Sequence, residues 1–339
     1  MNHLVSPDFI ARTGYHCLFS GLLHMLKREY PDIAADEADV YLQSDGLNVE
    51  FHGDMRTMWL ASQEQIARRF ADCYGFSADY RFDLLNRGEE ALPALRETLA
   101  DNRLVLLFMR TKQLRYHDIF QDGEERNHII LLYGLDEEAG TAYVADTSFY
   151  DVSGQLLSYQ GPLPLHNVTA GLWGFARFKP QPGMAPKPEP ERFAAACSRI
   201  RDFVSGTALD GERYQGMLAY KTYTDAFTGL AELDKEQFSA TCKHVYYCLR
   251  IGGIMHQIDY LERFVTLHAH RLTRSADLAA SWNEKRELWR KTLYQLYKIA
   301  LSARPEKLAA VQQQCRILLE DQERLLNMLL EDAAVTAAG

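Results

Sequence analysis

The stretch Asn127-His128-Ile129-Ile130-Leu131-Leu132-Tyr133-Gly134-Leu135-Asp136-Glu137-Glu138-Ala139-Gly140-Thr141-Ala142-Tyr143-Val144-Ala145-Asp146 decides how the first half of the chain is read. Two apolar runs rich in β-branched and aromatic residues, His128 to Tyr133 and Ala142 to Ala145, have strand length and composition. The acidic and glycine-containing Leu135 to Gly140 between them suits a tight reversal. The pair therefore predicts an antiparallel hairpin. In a hairpin the start of one strand lies beside the end of the next, so His128 and Asp146 are expected at one rim of the sheet. Further strands are predicted at Val105 to Phe108 and Trp173 to Phe178.

Upstream, Phe19, Leu22, Leu23 and Leu26 recur at helical spacing, after Thr13-Gly14 and before Pro31, and predict an amphipathic helix from about Cys17. A thiol in the first turn of a helix faces unpaired N–H groups and the positive end of the dipole, both of which favour the nucleophilic thiolate. A buried structural cysteine near a helix start is the plainer alternative. A thiolate nucleophile needs a base, and the base needs an orienting partner. His128 and Asp146 offer both; alternatively, His128 caps a strand and Asp146 precedes a turn. His117, in the loop before the His128 strand, is the rival base. His16 adjoins Cys17 and reads as a capping or substrate-facing residue.

The segment from Lys179 to Pro190 carries five prolines, which disfavour a helix or central strand and mark a linker. Beyond it the pattern is helical, from about Glu191, from Lys235 through Gly252-Gly253 to Leu267, from Ser275 to Ser302 and from Pro305 to Leu330. The expected architecture is α+β over residues 1–179, a linker over 180–190 and an all-α domain over 191–333. Two adjacent glycines in a helix cost roughly 2 kcal/mol against alanine, so a break, bend or close backbone approach is expected at Gly252-Gly253.

The 339 residues carry a net charge of -9. This argues against a general nucleic-acid binder, which needs a basic footprint. The N-terminus does not read as a signal peptide, and the longest apolar runs are too short to cross a bilayer. Six scattered cysteines suggest neither a disulfide framework nor a zinc knuckle, and a reducing cytoplasm is expected. His244 and Cys248, four apart on a helix, lack a second ligand pair, while His268 and His270, two apart, are expected on different helix faces; no metal site is predicted. From Arg271 to Lys307 nine basic residues face four acidic ones. That segment is either a solvated helix face or a docking surface for an acidic carrier protein. Trp282, Trp289 and Tyr297 interleave with its charges or belong to the core.

Gly14-Tyr15-His16-Cys17-Leu18, Asn127 to Asp136 and Tyr143-Val144-Ala145-Asp146 resemble papain-like peptidases of the bacteriocin-processing type. A closer resemblance is to the N-terminal domain of the butirosin biosynthesis protein H family. Arg250-Ile251-Gly252-Gly253-Ile254-Met255 and Tyr260-Leu261-Glu262-Arg263-Phe264 are similar to the helical domain usually fused to it. Leu114-Arg115-Tyr116 stands where that family has a Leu-Pro-Tyr-like element, without the proline. The resemblance implies a papain-like fold, a helix packed on an antiparallel sheet. It also implies a ping-pong acyltransferase of natural-product assembly, in which an acyl group passes from a carrier-protein or CoA-type thioester through Cys17 to an amine. His128 would be the base and Asp146 its orienting partner, with no cofactor or metal. A thioesterase or peptidase of the same fold, and a binding protein without catalysis, are the alternatives. The partners so implied are an acyl carrier protein or other thioester donor and a small-molecule amine, with neither nucleic acid nor membrane, and homo-oligomerisation is allowed for. Papain-like peptidases supply an oxyanion donor from a Gln shortly before the Cys, and this chain has none there. The Cys17 N–H can give one donor, and Asn127, Gln113 and the Tyr15 hydroxyl are candidates for the second.

Overall fold

The structure is a computed structural model that describes residues 3–5, 8–55, 58–60, 62–122, 125–151, 155–209, 211–250 and 253–338. The chain forms two compact units, one of Met1–Val40 with Ala67–Lys187 and the other of Tyr41–Ile66 with Pro188–Gly339. It is α+β, with antiparallel sheets and a helical C-terminal region.

In the first unit six strands lie in the order Phe76–Arg81, Leu172–Pro180, Val105–Arg110, Asn127–Asp136, Thr141–Tyr150, Leu156–Pro164, and His3–Val5 pairs with Asn127–Asp136. Every pairing is antiparallel. The hairpin expected at residues 127–146 is present with longer strands, and it reverses at Glu137–Gly140. The nearly continuous apolar runs of the central strands follow from burial on both faces of the sheet. Val105, Leu107, Met109, Ile130, Leu132 and Val144 turn to one face, where Leu95 and Leu99 of the Leu92–Ala100 helix close the core. The alternate residues Leu106 and Leu131 lie against Gly21 of the Cys17–Glu29 helix, whose Leu18, Phe19, Leu22, Met25 and Leu26 are buried.

The second unit is built from helices Glu189–Ser205, Gly216–Asp225, Lys235–Arg250, Ile254–Leu267, Ser275–Ser302 and Leu308–Ala338. Trp282 and Trp289 are buried in it, so they serve the core. Gly216–Asp225 is a helix outside the expected helical segments, whereas Ser275–Ser302 has the bounds its pattern predicts. Pro305–Lys307 forms a 3-10 turn before the last helix. Residues 41–66 join this unit, unlike the division expected from a single cut at the prolines. Tyr41 stacks on Tyr260 at 4.2 Å between ring centroids. The Gln43 amide donates to the Arg192 carbonyl at 2.7 Å, and Val49–Phe51 pairs with Tyr214–Gln215 in a small four-stranded sheet.

The long helical pattern from Lys235 to Leu267 is interrupted as expected. Gly252 lies outside the described residues, but Gly253 begins the next helix with its Cα tight against the preceding turn: a Cβ there would come within 2.1 Å of the Cys248 carbonyl oxygen. Gly253→Ala is expected to destabilise the protein by about 1–3 kcal/mol, the usual penalty for forcing an atom into a packed site. A urea midpoint equal to that of the wild type would contradict this.

Glu189 opens the first helix of this unit. Arg271 takes both of its carboxylate oxygens, and His268 shares Oε1 at 2.8 Å. Those bonds, Arg271 first, hold the Glu189 carboxyl at about 2 against an ordinary 4.5. A depressed carboxyl pKa stabilises the fold above the unfolded value and loses that contribution as pH falls towards the folded one. The difference in urea midpoint between the wild type and Glu189→Gln should therefore be full above pH 4.5 and close between pH 4.5 and about 2. A difference that stays constant over that window would contradict the assignment.

Candidate active site

The chain reaches Cys17 along a strap of residues 9–16 that is tied to the sheet mainly by side chains. Gln160 clamps it, accepting from the Ala11 N–H at 2.8 Å and donating to the Phe9 carbonyl at 2.7 Å. Thr13 meets Ser158 at 2.8 Å between hydroxyls. His24 accepts the Arg12 N–H on Nε2 at 2.8 Å, which puts its proton on Nδ1, facing the Ser20 carbonyl at 2.7 Å. Burial lowers the His24 pKa, with a smaller push from Arg12, and the Ser20 contact opposes them. The ring is thus kept neutral, as this bonding needs.

The last turn of the strap is fixed most tightly. Gly14 donates to the Thr147 carbonyl at 2.8 Å, one residue beyond Asp146. The buried Glu37 carboxylate accepts the N–H groups of Tyr15 at 3.0 and 3.1 Å and of His16 at 2.9 Å. His16 then caps the helix, its Nδ1 accepting from the Leu18 N–H at 3.2 Å. Cys17 is the first helical residue. Its own N–H is among the amides that a helix start leaves without an intrahelical acceptor.

Across from it, the register Leu131–Ala145, extended by one pair, sets Asp146 opposite Ile130, so His128 two residues away shares its face. His128 Nε2 and Asp146 Oδ2 are 2.7 Å apart, with the side chains 12% and 0% exposed. Buried charges of this kind persist only when hydrogen-bonded, and Asp146 receives two further donors. The Tyr116 hydroxyl donates to Oδ2 at 2.7 Å and the Ser148 N–H to Oδ1 at 3.2 Å. The pairing with Leu156–Pro164 breaks register between Asp146 and Phe149, the local irregularity that re-aims side chains at a sheet rim.

Cys17 is near enough to His128 to raise the pKa of its imidazole. With Nε2 given to Asp146, Nδ1 is the ring nitrogen left for the thiol. Burial works against the imidazolium, but Asp146 and then Cys17 outweigh it, and the His128 pKa stands well above its ordinary value. The Phe120 ring packs on His128 at 5.2 Å between centroids. The arrangement can hold a thiolate beside an imidazolium and later move a proton at Nδ1.

Several other candidates are engaged elsewhere. His117 Nδ1 accepts from the Ile119 N–H at 3.2 Å, capping its own turn. Gln113 accepts the Asn167 amide on its backbone carbonyl at 3.0 Å, which leaves its side chain a candidate, and Asn127 is exposed at the start of its strand. His244 Nε2 and Cys248 Sγ are 3.3 Å apart. His268 and His270, expected on different helix faces, instead converge with Glu189, their ligand atoms all within 4.8 Å. The helix ends at Leu267 and a 3-10 turn follows, so α-helical angular spacing does not apply. Arg271 occupies Glu189 in that cluster. Of the nine basic residues in the Arg271–Lys307 segment, four meet carboxylates within the unit: Arg271 with Glu189, Lys285 with Asp321, Arg286 with Asp259 and Arg290 with Glu287.

Tyr116, Glu37 and His24 escaped the reading of the sequence. Tyr116 had a signal, since it ends the Leu114-Arg115-Tyr116 element noted for its resemblance. Glu37 and His24 act on backbone amides and leave no spacing to read. No family model and no curated protein sequence matches the chain.

A Cβ on Gly14 would come within 2.2 Å of the Ser20 hydroxyl and 2.7 Å of Glu37 Oε2. Gly14→Ala should therefore shift the Cys17 turn, slowing alkylation of Cys17 at least severalfold and destabilising the fold by about 1–3 kcal/mol. Wild-type alkylation and stability in this variant would show that the turn tolerates displacement.

Proposed function

We propose that the chain is a cysteine-dependent acyltransferase with a papain-like catalytic half, passing an acyl group from a carrier-protein or CoA-type thioester to an amine in natural-product biosynthesis. The observation that carries this reading is the His128 imidazole, held by the buried Asp146 carboxylate and raised in pKa by the nearby thiol at a helix start. The Cys17 thiolate attacks the thioester carbonyl. The donor C–S bond breaks, and the departing thiol takes the His128 proton. The amine then attacks the Cys17 acyl-enzyme, His128 Nδ1 receives the amine proton, and Cys17 leaves as thiolate beside the restored imidazolium. The Cys17 N–H is the proposed donor to the developing oxyanion.

Several features support a thioester donor over a peptide. Thioester exchange onto a thiol is close to isoenergetic, and aminolysis of the product runs downhill. A thioester also asks less of the oxyanion hole than an amide does, in a chain that has no Gln before Cys17. All six cysteines are free thiols, and a reducing cytoplasm is the proposed location. Among the described residues no helix is long and apolar enough to cross a membrane. The donor is an acyl carrier protein or a similar thioester and the acceptor a small amine. Docking of an acidic carrier on the Arg271–Lys307 segment has less support, because four of its cations already meet carboxylates.

Amide formation from acyl-pantetheine thioesters and a panel of amines should vanish in Cys17→Ala. It should fall by about 10²–10⁴ in His128→Ala, and less in Asp146→Asn, since the base moves the proton and the acid only orients it. Free acid as the sole product would make the enzyme a thioesterase. Full activity in Cys17→Ala would refute the reading.

A further inference from the structure

Asp146 Oδ2 accepts two hydrogen bonds of equal length, 2.7 Å from His128 Nε2 and 2.7 Å from the Tyr116 hydroxyl. The phenol is half-buried. Its ring stacks on Tyr159 at 4.2 Å between centroids and 2° between planes, and it meets Phe120 edge-on at 5.5 Å. Burial, then Asp146, raises the Tyr116 pKa well above its ordinary value. The hydroxyl is therefore a donor throughout the working range. The charged and titratable groups acting on this cluster are Asp146 and Cys17 on His128, with Tyr159 added on Tyr116.

A carboxylate oxygen that already accepts one charge-assisted bond gives less of its charge to the next donor. Ser148 holds Oδ1 independently, so Asp146 keeps its place without Tyr116, but its pull on the imidazolium changes. We propose that Tyr116 is a positioning residue of the Cys17–His128–Asp146 site, which draws part of the Asp146 charge away from His128 and so keeps the imidazole able to release its proton. The inference rests on the acyl-transfer reading only in what the proton is used for. Holding the Cys17 thiolate calls for an imidazolium, whereas deprotonating an amine calls for an imidazole free to accept. A hydroxyl competing for Oδ2 lets one ring serve both steps.

The test is the pH profile of Cys17 alkylation by iodoacetamide, followed by peptide mapping so that the other cysteines do not contribute. This profile reads the thiol–imidazole pair without any acyl transfer. In Tyr116→Phe the alkaline inflection, where the imidazolium loses its proton, is expected to move up by about one pH unit. Aminolysis of the acyl-enzyme should slow by about tenfold, the effect of one charge-assisted hydrogen bond, while acylation is retained. Tyr159→Phe removes a hydroxyl that donates to the Pro162 carbonyl at 2.8 Å, and it should leave the inflection in place. Should Tyr116→Phe fail to fold, 3-fluorotyrosine at position 116, a stronger donor, should move the inflection down. An inflection that stays put in a folded Tyr116→Phe, or moves down, overturns the proposal and leaves the Cys17–His128 pair standing. A wild-type profile with no reactive plateau below the ordinary thiol range overturns the pair itself, and the proposal with it.

Discussion

A fully buried carboxylate must be answered by hydrogen-bond donors, and Asp146 sets that requirement for the first unit. Its side chain has no exposed surface, and three donors converge on it from three segments: His128 from the neighbouring strand, Tyr116 from the loop before that strand, and Ser148 from its own. Each donor fixes an element. The strand carrying His128 cannot slip register without removing the ring, since a slip of one residue turns every side chain to the opposite face. The loop carrying Tyr116 is held down at one point, and the irregular pairing after Asp146 is bridged by the Ser148 amide.

The same stretch reaches back to the nucleophile. Gly14 bonds the Thr147 carbonyl, the residue after Asp146, so the turn that presents Cys17 is tied to the segment that presents the carboxylate. Glu37 secures the next two amides, and His16 caps the helix. A thiol, an imidazole and a carboxylate from three places in the sequence are thus held by hydrogen bonds that run mainly from side chains. Rigid support of this kind is what a reacting geometry needs.

The pattern of the sequence carried the hairpin at 127–146, the helix at Cys17 and the helix at Ser275–Ser302, because in each a strong period coincides with burial of one face or two. From the hairpin alone came the nearness of His128 and Asp146. Tyr116, Glu37 and His24 were not legible, since each acts through a single polar contact to a group that periodicity does not mark. The strand Leu156–Pro164 escaped because Gly161, Pro162 and Pro164 weaken its signal, although as the last strand of the sheet it can accommodate them. The place of residues 41–66 in the second unit was hidden for another reason. It depends on a ring stack and an amide contact that join residues roughly 150 or more positions apart, and spacing along the chain says nothing of such pairs.

The proposed chemistry turns on Cys17 being the thiol that carries an acyl group. Peptide-mapping mass spectrometry after brief exposure of the protein to an acyl-pantetheine thioester tests it most directly, with a second sample chased by an amine. One acyl adduct is expected, on the peptide holding Cys17, that disappears in the chased sample as amide appears. An adduct residing on Cys248 or another cysteine, or spread over all six in proportion to exposure, would contradict it.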